Sequence, residues 1–121
     1  MVKILIIDDE ALARRRVREL LAGNDIIQIV GEAKNGEEAI KLINERNPDL
    51  IYLDIRLSDM TGFDVLEKIP KEKMPMVIFV TAYDEYAIQA FDVFSFDYIL
   101  KPIVPKRFQV SLERAVESLL S

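Results

Sequence analysis

Short apolar runs alternate with amphipathic stretches along the whole chain. Five runs, Lys3–Ile7, Ile27–Val30, Leu50–Leu53, Met76–Val80 and Phe96–Leu100, are rich in Ile, Val, Leu or aromatic residues and are predicted to be strands. Between and after them, apolar positions recur with helical spacing. Ala13, Val17, Leu20 and Leu21 share a face, as do Ala87, Ala90, Phe91 and Phe94, and again Phe108, Leu112, Ala115 and Leu119. Phe91, Phe94 and Phe108 lie on these stripes and are therefore assigned to the core. Asn35 with Glu38 has the spacing of a capping box that opens a helix ended by Asn47-Pro48. Gly62 leads into a short helix, and Pro105 suits the first turn of the last one.

The order is strand then helix, five times over. Strands apolar on both faces must be buried on both, and right-handed helical crossovers between parallel strands supply the cover. The expected fold is an α/β doubly wound three-layer sandwich with a parallel sheet. Such sheets take ligands beyond the carboxyl ends of their strands, where the winding reverses.

At 121 residues, 50% hydrophobic and 31% charged, the chain is expected to form one domain, residues 1–121, that folds alone. A net charge of −5 supplies no overall positive field for nucleic acid, so direct nucleic-acid binding is not expected of this domain. The chain contains no Cys, which removes disulfides and thiolate chemistry, and no His, which removes His-ligated zinc, Ser-His-Asp catalysis and phosphohistidine formation. The opening run from Val2 to Ile7 is cut off by Asp8-Asp9-Glu10, too soon for a signal segment or membrane span, and a cytoplasmic location is expected.

The residues that follow the strands are Asp8-Asp9, Asp54, Thr81 and Lys101-Pro102. Taken singly, each has an ordinary reading: carboxylates cap helices, Thr sits in turns and Lys lies on surfaces. Their common position at one end of the expected sheet gives them a shared chemistry. Carboxylates brought together repel by about 4 kcal/mol per pair at about 4 Å and an effective dielectric of about 20, unless a cation or proton intervenes. Oxygen ligands alone, too few for a closed calcium cage, suit Mg²⁺, which retains waters and commonly shares carboxylates with a phosphate. Thr81 offers a hydroxyl and Lys101 a point charge to phosphoryl oxygens.

The stretches Ile4-Leu5-Ile6-Ile7-Asp8-Asp9-Glu10, Leu53-Asp54-Ile55-Arg56-Leu57 through Gly62, Phe79-Val80-Thr81-Ala82 and Asp97-Tyr98-Ile99-Leu100-Lys101-Pro102 resemble the receiver domain of two-component response regulators. The likeness runs from Val2 to about Leu120. It implies a flavodoxin-like (βα)5 fold with sheet order 2-1-3-4-5. The run Thr81-Ala82-Tyr83-Asp84-Glu85-Tyr86-Ala87 with Ala90-Phe91 looks most like receivers that precede a LytTR-type DNA-binding domain.

The resemblance implies that Asp54 is the phosphoacceptor, that Asp9, Asp8 (through water), Asp54 and the backbone carbonyl of Arg56 surround Mg²⁺, and that Thr81 and Lys101 hold the phosphoryl oxygens. It also implies a cis Lys101-Pro102 bond, a Tyr98 rotamer that follows Thr81, and positions for Arg56 and Tyr83 that tune access of water. The donor is expected to be a histidine kinase or phosphotransfer protein. Gly31 through Gly36 has the glycine spacing of a P-loop, but Glu37-Glu38 stand where Lys and Ser or Thr are needed. The expected role is a non-enzymatic switch with transcriptional output, a phosphorylation-promoted homodimer among its states.

Other readings carry less. A standalone receiver acting through protein contacts shares every feature. A haloacid-dehalogenase-type phosphatase wants Asp-x-Asp after the first strand, where this chain has adjacent acids, and an FMN binder wants hydroxyls where Asp8-Asp9-Glu10 would repel a phosphate. Ser58 departs from the proline frequent at its position in receivers, which predicts a looser loop over the site. Arg14, Arg15, Arg16 and Arg18 read either as a solvated helix face or, by resemblance, as a kinase-docking surface.

Overall fold

A computed structural model describes all 121 residues. Five strands, β1 (Val2–Ile7), β2 (Ile27–Ala33), β3 (Leu50–Leu53), β4 (Met76–Thr81) and β5 (Asp97–Leu100), form one parallel sheet in the order β2-β1-β3-β4-β5. The helices are α1 (Ala11–Leu21), α2 (Gly36–Arg46), α3 (Gly62–Glu67), α4 (Ala87–Asp92) and α5 (Pro105–Leu120), with a short 3-10 turn at Lys71–Lys73. The sheet order reverses at β1/β3, the place expected for a ligand.

Two apolar layers cover the sheet. Leu5, Ile7, Ile51, Leu53 and Phe79 pack against α2 and α3 on one face, and Ile4, Ile6, Tyr52, Ile78 and Val80 pack against α1 and α5 on the other. The period of two along each strand produces this division. Strand β2 is longer than expected and its pairing with β1 shifts between Ile4 and Leu5, opposite Gly31. A Cβ on Gly31 would lie 3.3 Å from Leu5 Cδ1, tighter than ordinary contact.

Two helix starts illustrate how local chemistry sets the frame. At α2 only half of the expected box forms: Asn35 Oδ1 accepts from the Glu38 amide at 2.8 Å, whereas Glu38 Oε1 accepts from Lys34 N at 3.3 Å. The complete box is at α3, where Thr61 Oγ1 accepts from Asp64 N and Asp64 Oδ2 accepts from Thr61 N.

The assignment of Phe91 and Phe94 to the core is corrected. Phe91 is 78% and Phe94 93% exposed, whereas Ala90 of the same stripe and Phe108 of α5 are buried. Helix α4 has only six residues and ends before Phe94, whose φ of 60° closes the segment in the left-handed region. Tyr86 and Tyr98 pack against the core instead of the two phenylalanines.

Candidate functional site

Three of the four sheet ladders run one hydrogen bond past their strands and so fix the first residue beyond. Asp8 N donates to Ala33 O, Asp54 N to Ile7 O and Lys101 N to Thr81 O, at 3.1, 3.0 and 2.8 Å. These bonds bring Asp8, Asp54 and Lys101 to one end of the sheet. Thr81 ends β4 itself and is wholly buried. The peptide bond between Lys101 and Pro102 is cis, as expected.

Lys101 is the organising cation. Its Nζ donates to Asp8 Oδ2 at 2.9 Å and to Asp54 Oδ2 at 3.1 Å, and lies 4.0 Å from Glu10 Oε1. The remaining oxygens of the two buried carboxylates accept from backbone amides: Asp8 Oδ1 from Glu10 N and Asp54 Oδ1 from Ile55 N. The repulsion expected among clustered acids is thus relieved inside the chain. Burial pushes the Asp8 carboxyl above its ordinary pKa, against the pull of Lys101 and the Glu10 amide. Burial also works against the Lys101 charge, but hydrogen bonding to Asp8 and the charges of Asp54 and Asp8 outweigh it and raise the ammonium pKa.

Asp9 is exposed, and its carboxylate groups with those of Asp8 and Glu10, one oxygen of each lying within 4.8 Å of the others. Glu10 was not among the expected site residues, although the unbroken run Asp8-Asp9-Glu10 was the available signal. Two buried carboxylates, two exposed ones and a single ammonium leave the pocket anionic. Hard oxygens, partly open to water, form a donor set that fits Mg²⁺.

The segment from Asp54 to Gly62 is pinned despite Ser58. Arg56 and Thr61 form an isolated antiparallel bridge, Leu57 N donates to Met60 O, and Gly62 N donates to Ile55 O. Asp59 then ties the segment to α2, accepting from Gly36 N at 2.7 Å and Glu37 N at 3.0 Å. These amide contacts, foremost that of Gly36, hold the Asp59 carboxyl below its ordinary pKa. The loosening predicted from the missing proline is offset by this long-range cap, which no local spacing announces.

Tyr98 pairs with Phe79 in the β4–β5 register, while Thr81 pairs with Leu100. Tyr98 therefore shares a sheet face with Thr81 but sits diagonally from it. The connection runs through Tyr83: its amide donates to Thr81 Oγ1 at 3.4 Å, and its carbonyl accepts from the Tyr98 hydroxyl. The α1 arginines divide. Arg14 and Arg18 pair with Glu32, Arg14 also donates to Asp8 O at 2.8 Å, and Arg15 and Arg16 are exposed. The largest surface groove, about 700 Å³, lies beside the start of β4, lined by Leu66, Met74, Val93, Phe94 and Phe96 among others, and none of the residues expected at the site reaches it. No helix is long and apolar enough to cross a membrane.

Residues 4–113 match the family model described as the response regulator receiver domain. The chain is 46% identical over 114 residues to the transcriptional regulatory protein BtsR of Salmonella typhi, covering 94% of this chain and 48% of that protein. Against the BtsR of Escherichia coli (strain K12) the identity is 42% over the same shares of the two chains. The chain thus spans about half the length of the curated relatives it matches. Among solved structures, the REC domain of AraT, a response regulator from Geobacillus stearothermophilus, superposes with a TM-score of 0.88 at 36% identity, covering 98% of this chain and 96% of that one. The response regulatory domain of protein mrkE from Klebsiella pneumoniae gives 0.87 at 29% identity, with 97% of each chain covered.

Proposed function

Because the chain belongs to the response regulator receiver domain family, we propose that it is a phosphorylation-controlled switch in which Asp54 accepts a phosphoryl group from a histidine kinase or phosphotransfer protein. The observation that carries this reading is the buried Asp54 carboxylate held 3.1 Å from Lys101 Nζ, at the sheet end where Asp8, Asp9 and Thr81 also lie. In the transfer, an Asp54 oxygen forms a bond to phosphorus while the bond to the leaving group breaks, and the leaving group takes the electron pair. This needs alignment and charge neutralisation more than proton transfer.

Lys101 supplies one positive charge and the Thr81 hydroxyl a donor for the new phosphoryl oxygens. Asp8, Asp9, Asp54 and the Arg56 carbonyl would hold Mg²⁺, which when bound neutralises charge developing on the transferred group. The chain takes up and loses its own phosphate and turns over no other substrate. Transcription regulation as the output, through a LytTR-type DNA-binding domain, a cytoplasmic location and a phosphorylation-promoted homodimer belong to the same proposal. They are supported by relatives named transcriptional regulatory proteins and by the run from Thr81 to Phe91.

Incubation with acetyl phosphate and magnesium, read by intact mass, tests the reading. One added phosphate is expected, absent in Asp54→Asn and after chelation. Equal labelling of Asp54→Asn would overturn the assignment.

A further inference from the structure

The glycine-spaced run from Gly31 to Gly36 does hold an anion at a helix start, but the anion is the chain's own. Asp59 accepts from the amides of Gly36 and Glu37, the first two residues of α2, with Oδ1 at 2.7 Å and Oδ2 at 3.0 Å. These amides have no partner inside the helix, and the positive end of its dipole favours a carboxylate there. Asn35 caps the next amide, that of Glu38. The approach requires a glycine, because a Cβ on Gly36 would overlap the Met60 side chain.

The tie joins the two sides of the acidic pocket. On one side, Ala33 at the end of β2 accepts from the Asp8 amide and leads through Lys34 and Asn35 into α2. On the other, the chain beyond Asp54 doubles back: Arg56 bridges Thr61, Leu57 N donates to Met60 O, and Gly62 N donates to Ile55 O. Ser58 and Asp59 form the exposed tip of this narrow ribbon. A two-stranded ribbon alone is marginal in water. Asp59 fastens its tip, and with it the backbone on which the Arg56 carbonyl is carried.

We propose that Asp59 is a positioning residue for the metal: by fastening the loop tip to α2 it fixes the Arg56 carbonyl relative to Asp8 and Asp54, and so raises the affinity for Mg²⁺. The proposal rests on the Mg²⁺ reading above. Both oxygens of Asp59 are engaged by α2, so it acts through the backbone it holds and not as a ligand. Groups that orient metal ligands from outside are commonly worth about tenfold or more in affinity. The coupling is reciprocal, so Mg²⁺ must strengthen the tie by the factor by which the tie strengthens Mg²⁺ binding.

The test is a Mg²⁺ titration followed on backbone amide resonances in wild type, Asp59→Ala, Asp59→Asn and Asn35→Ala, with amide hydrogen exchange at Gly36 and Glu37 in wild type. Asp59→Ala is expected to bind Mg²⁺ about tenfold more weakly. Asp59→Asn keeps a carbonyl acceptor without the charge and should recover most of the affinity. Asn35→Ala removes the other side-chain cap of α2 and should be less stable in urea with Mg²⁺ affinity unchanged. In wild type, saturating Mg²⁺ should slow exchange at Gly36 and Glu37 about tenfold. Unchanged affinity in Asp59→Ala would overturn the proposal. So would equal weakening in Asp59→Asn, which assigns the effect to charge, or in Asn35→Ala, which assigns it to the helix start as a whole. Exchange indifferent to Mg²⁺ would overturn it as well, and this measurement needs no variant to fold. A wild-type chain that binds no Mg²⁺ would overturn the metal reading and the positioning role together.

Discussion

Lys101 and Asp54, separated by 47 positions in the chain, meet at 3.1 Å, so that the ammonium fills the space between the candidate phosphoacceptor and Asp8. An internal cation stands where charge neutralisation is required. Lys101→Met keeps much of the stem volume and removes the charge, leaving two buried carboxylates without their shared donor. The metal-free fold is expected to lose about 1–3 kcal/mol at neutral pH, and Mg²⁺ should restore a larger share of stability than it adds to wild type. Urea denaturation with and without magnesium checks this, and an equal response in both proteins would contradict it.

Asp8 gives the opposite sign. Its folded pKa is raised, with burial the largest cause, so its contribution to stability is complete below its unfolded value of about 3.9 and lost as pH rises through the folded value. At neutral pH the ionised group costs stability. Asp8→Asn should raise the metal-free melting temperature at pH 7, with the gain shrinking as pH falls through the raised folded pKa and gone below about 4, and should weaken magnesium binding. Calorimetry across that range, with a magnesium titration, measures both.

Asp97 is a carboxylate of the ordinary kind. Burial opposes its charge, but Arg107, donating to both carboxylate oxygens at 2.6 and 2.7 Å, with the Tyr98 amide, brings its pKa down from 3.8 to about 2. The resulting stability is present above the unfolded value and lost as pH falls through about 2. Arg107 is about half exposed, so the contribution is about 1–2 kcal/mol after screening. Asp97→Asn should lower the unfolding free energy at pH 7 by that amount, and the difference from wild type should vanish near pH 2.

The strands and the polar residues that follow them were legible because each has a local signature, a short apolar run and then a chemically distinctive residue, whereas the sheet order came from the family resemblance. The cap of Asp59 on Gly36 and the stacking of Arg56 on Tyr83 had none, since both join segments remote in sequence. Phe91 and Phe94 failed for another reason. Helical periodicity identifies an apolar face without saying what covers it, and the core beside α4 is filled by Ala90, Tyr86 and Tyr98. The sheet ends illustrate a finer limit: Thr81 and Tyr98 could be placed on neighbouring strands, but their diagonal offset depends on a register visible only in the fold.

Gly62 tests how closely the phosphoacceptor backbone is packed. A Cβ there would lie 2.7 Å from the Asp54 carbonyl oxygen and 3.1 Å from Leu53 Cγ. Backbone cannot yield as a flexible side chain can, so Gly62→Ala should cost about 1–3 kcal/mol and slow acetyl-phosphate labelling of the folded fraction. The three atoms nearest a Cβ on Gly36 all belong to the Met60 side chain, and Gly36→Ala with Met60→Ala should recover most of the wild-type stability. Denaturation curves for the three variants distinguish the two kinds of contact.

The exposed apolar residues of α4 bear on the output. Ile88 is 80% exposed and stands with Phe91 and Phe94, while Leu100 at the end of β5 and Val104 before α5 are also exposed. An exposed apolar cluster of this kind marks an interaction site. The proposed homodimer would bury it, and Thr81, Tyr83 and Tyr98 supply the route by which a phosphoryl group on Asp54 could favour that arrangement. A preference of about 2.7 kcal/mol for the active arrangement would shift its population ratio about a hundredfold. Light scattering should give the monomer mass for the free chain and the dimer mass with beryllofluoride and magnesium. Phe91→Ser removes an exposed ring without opening a cavity and should weaken dimerisation about tenfold or more, with folding unchanged. Thr81→Ala should bind the mimic yet dimerise less than wild type. A chain that stays monomeric with the mimic bound would refute the dimer, and a Thr81→Ala variant that dimerises as wild type does would refute the route through Tyr83.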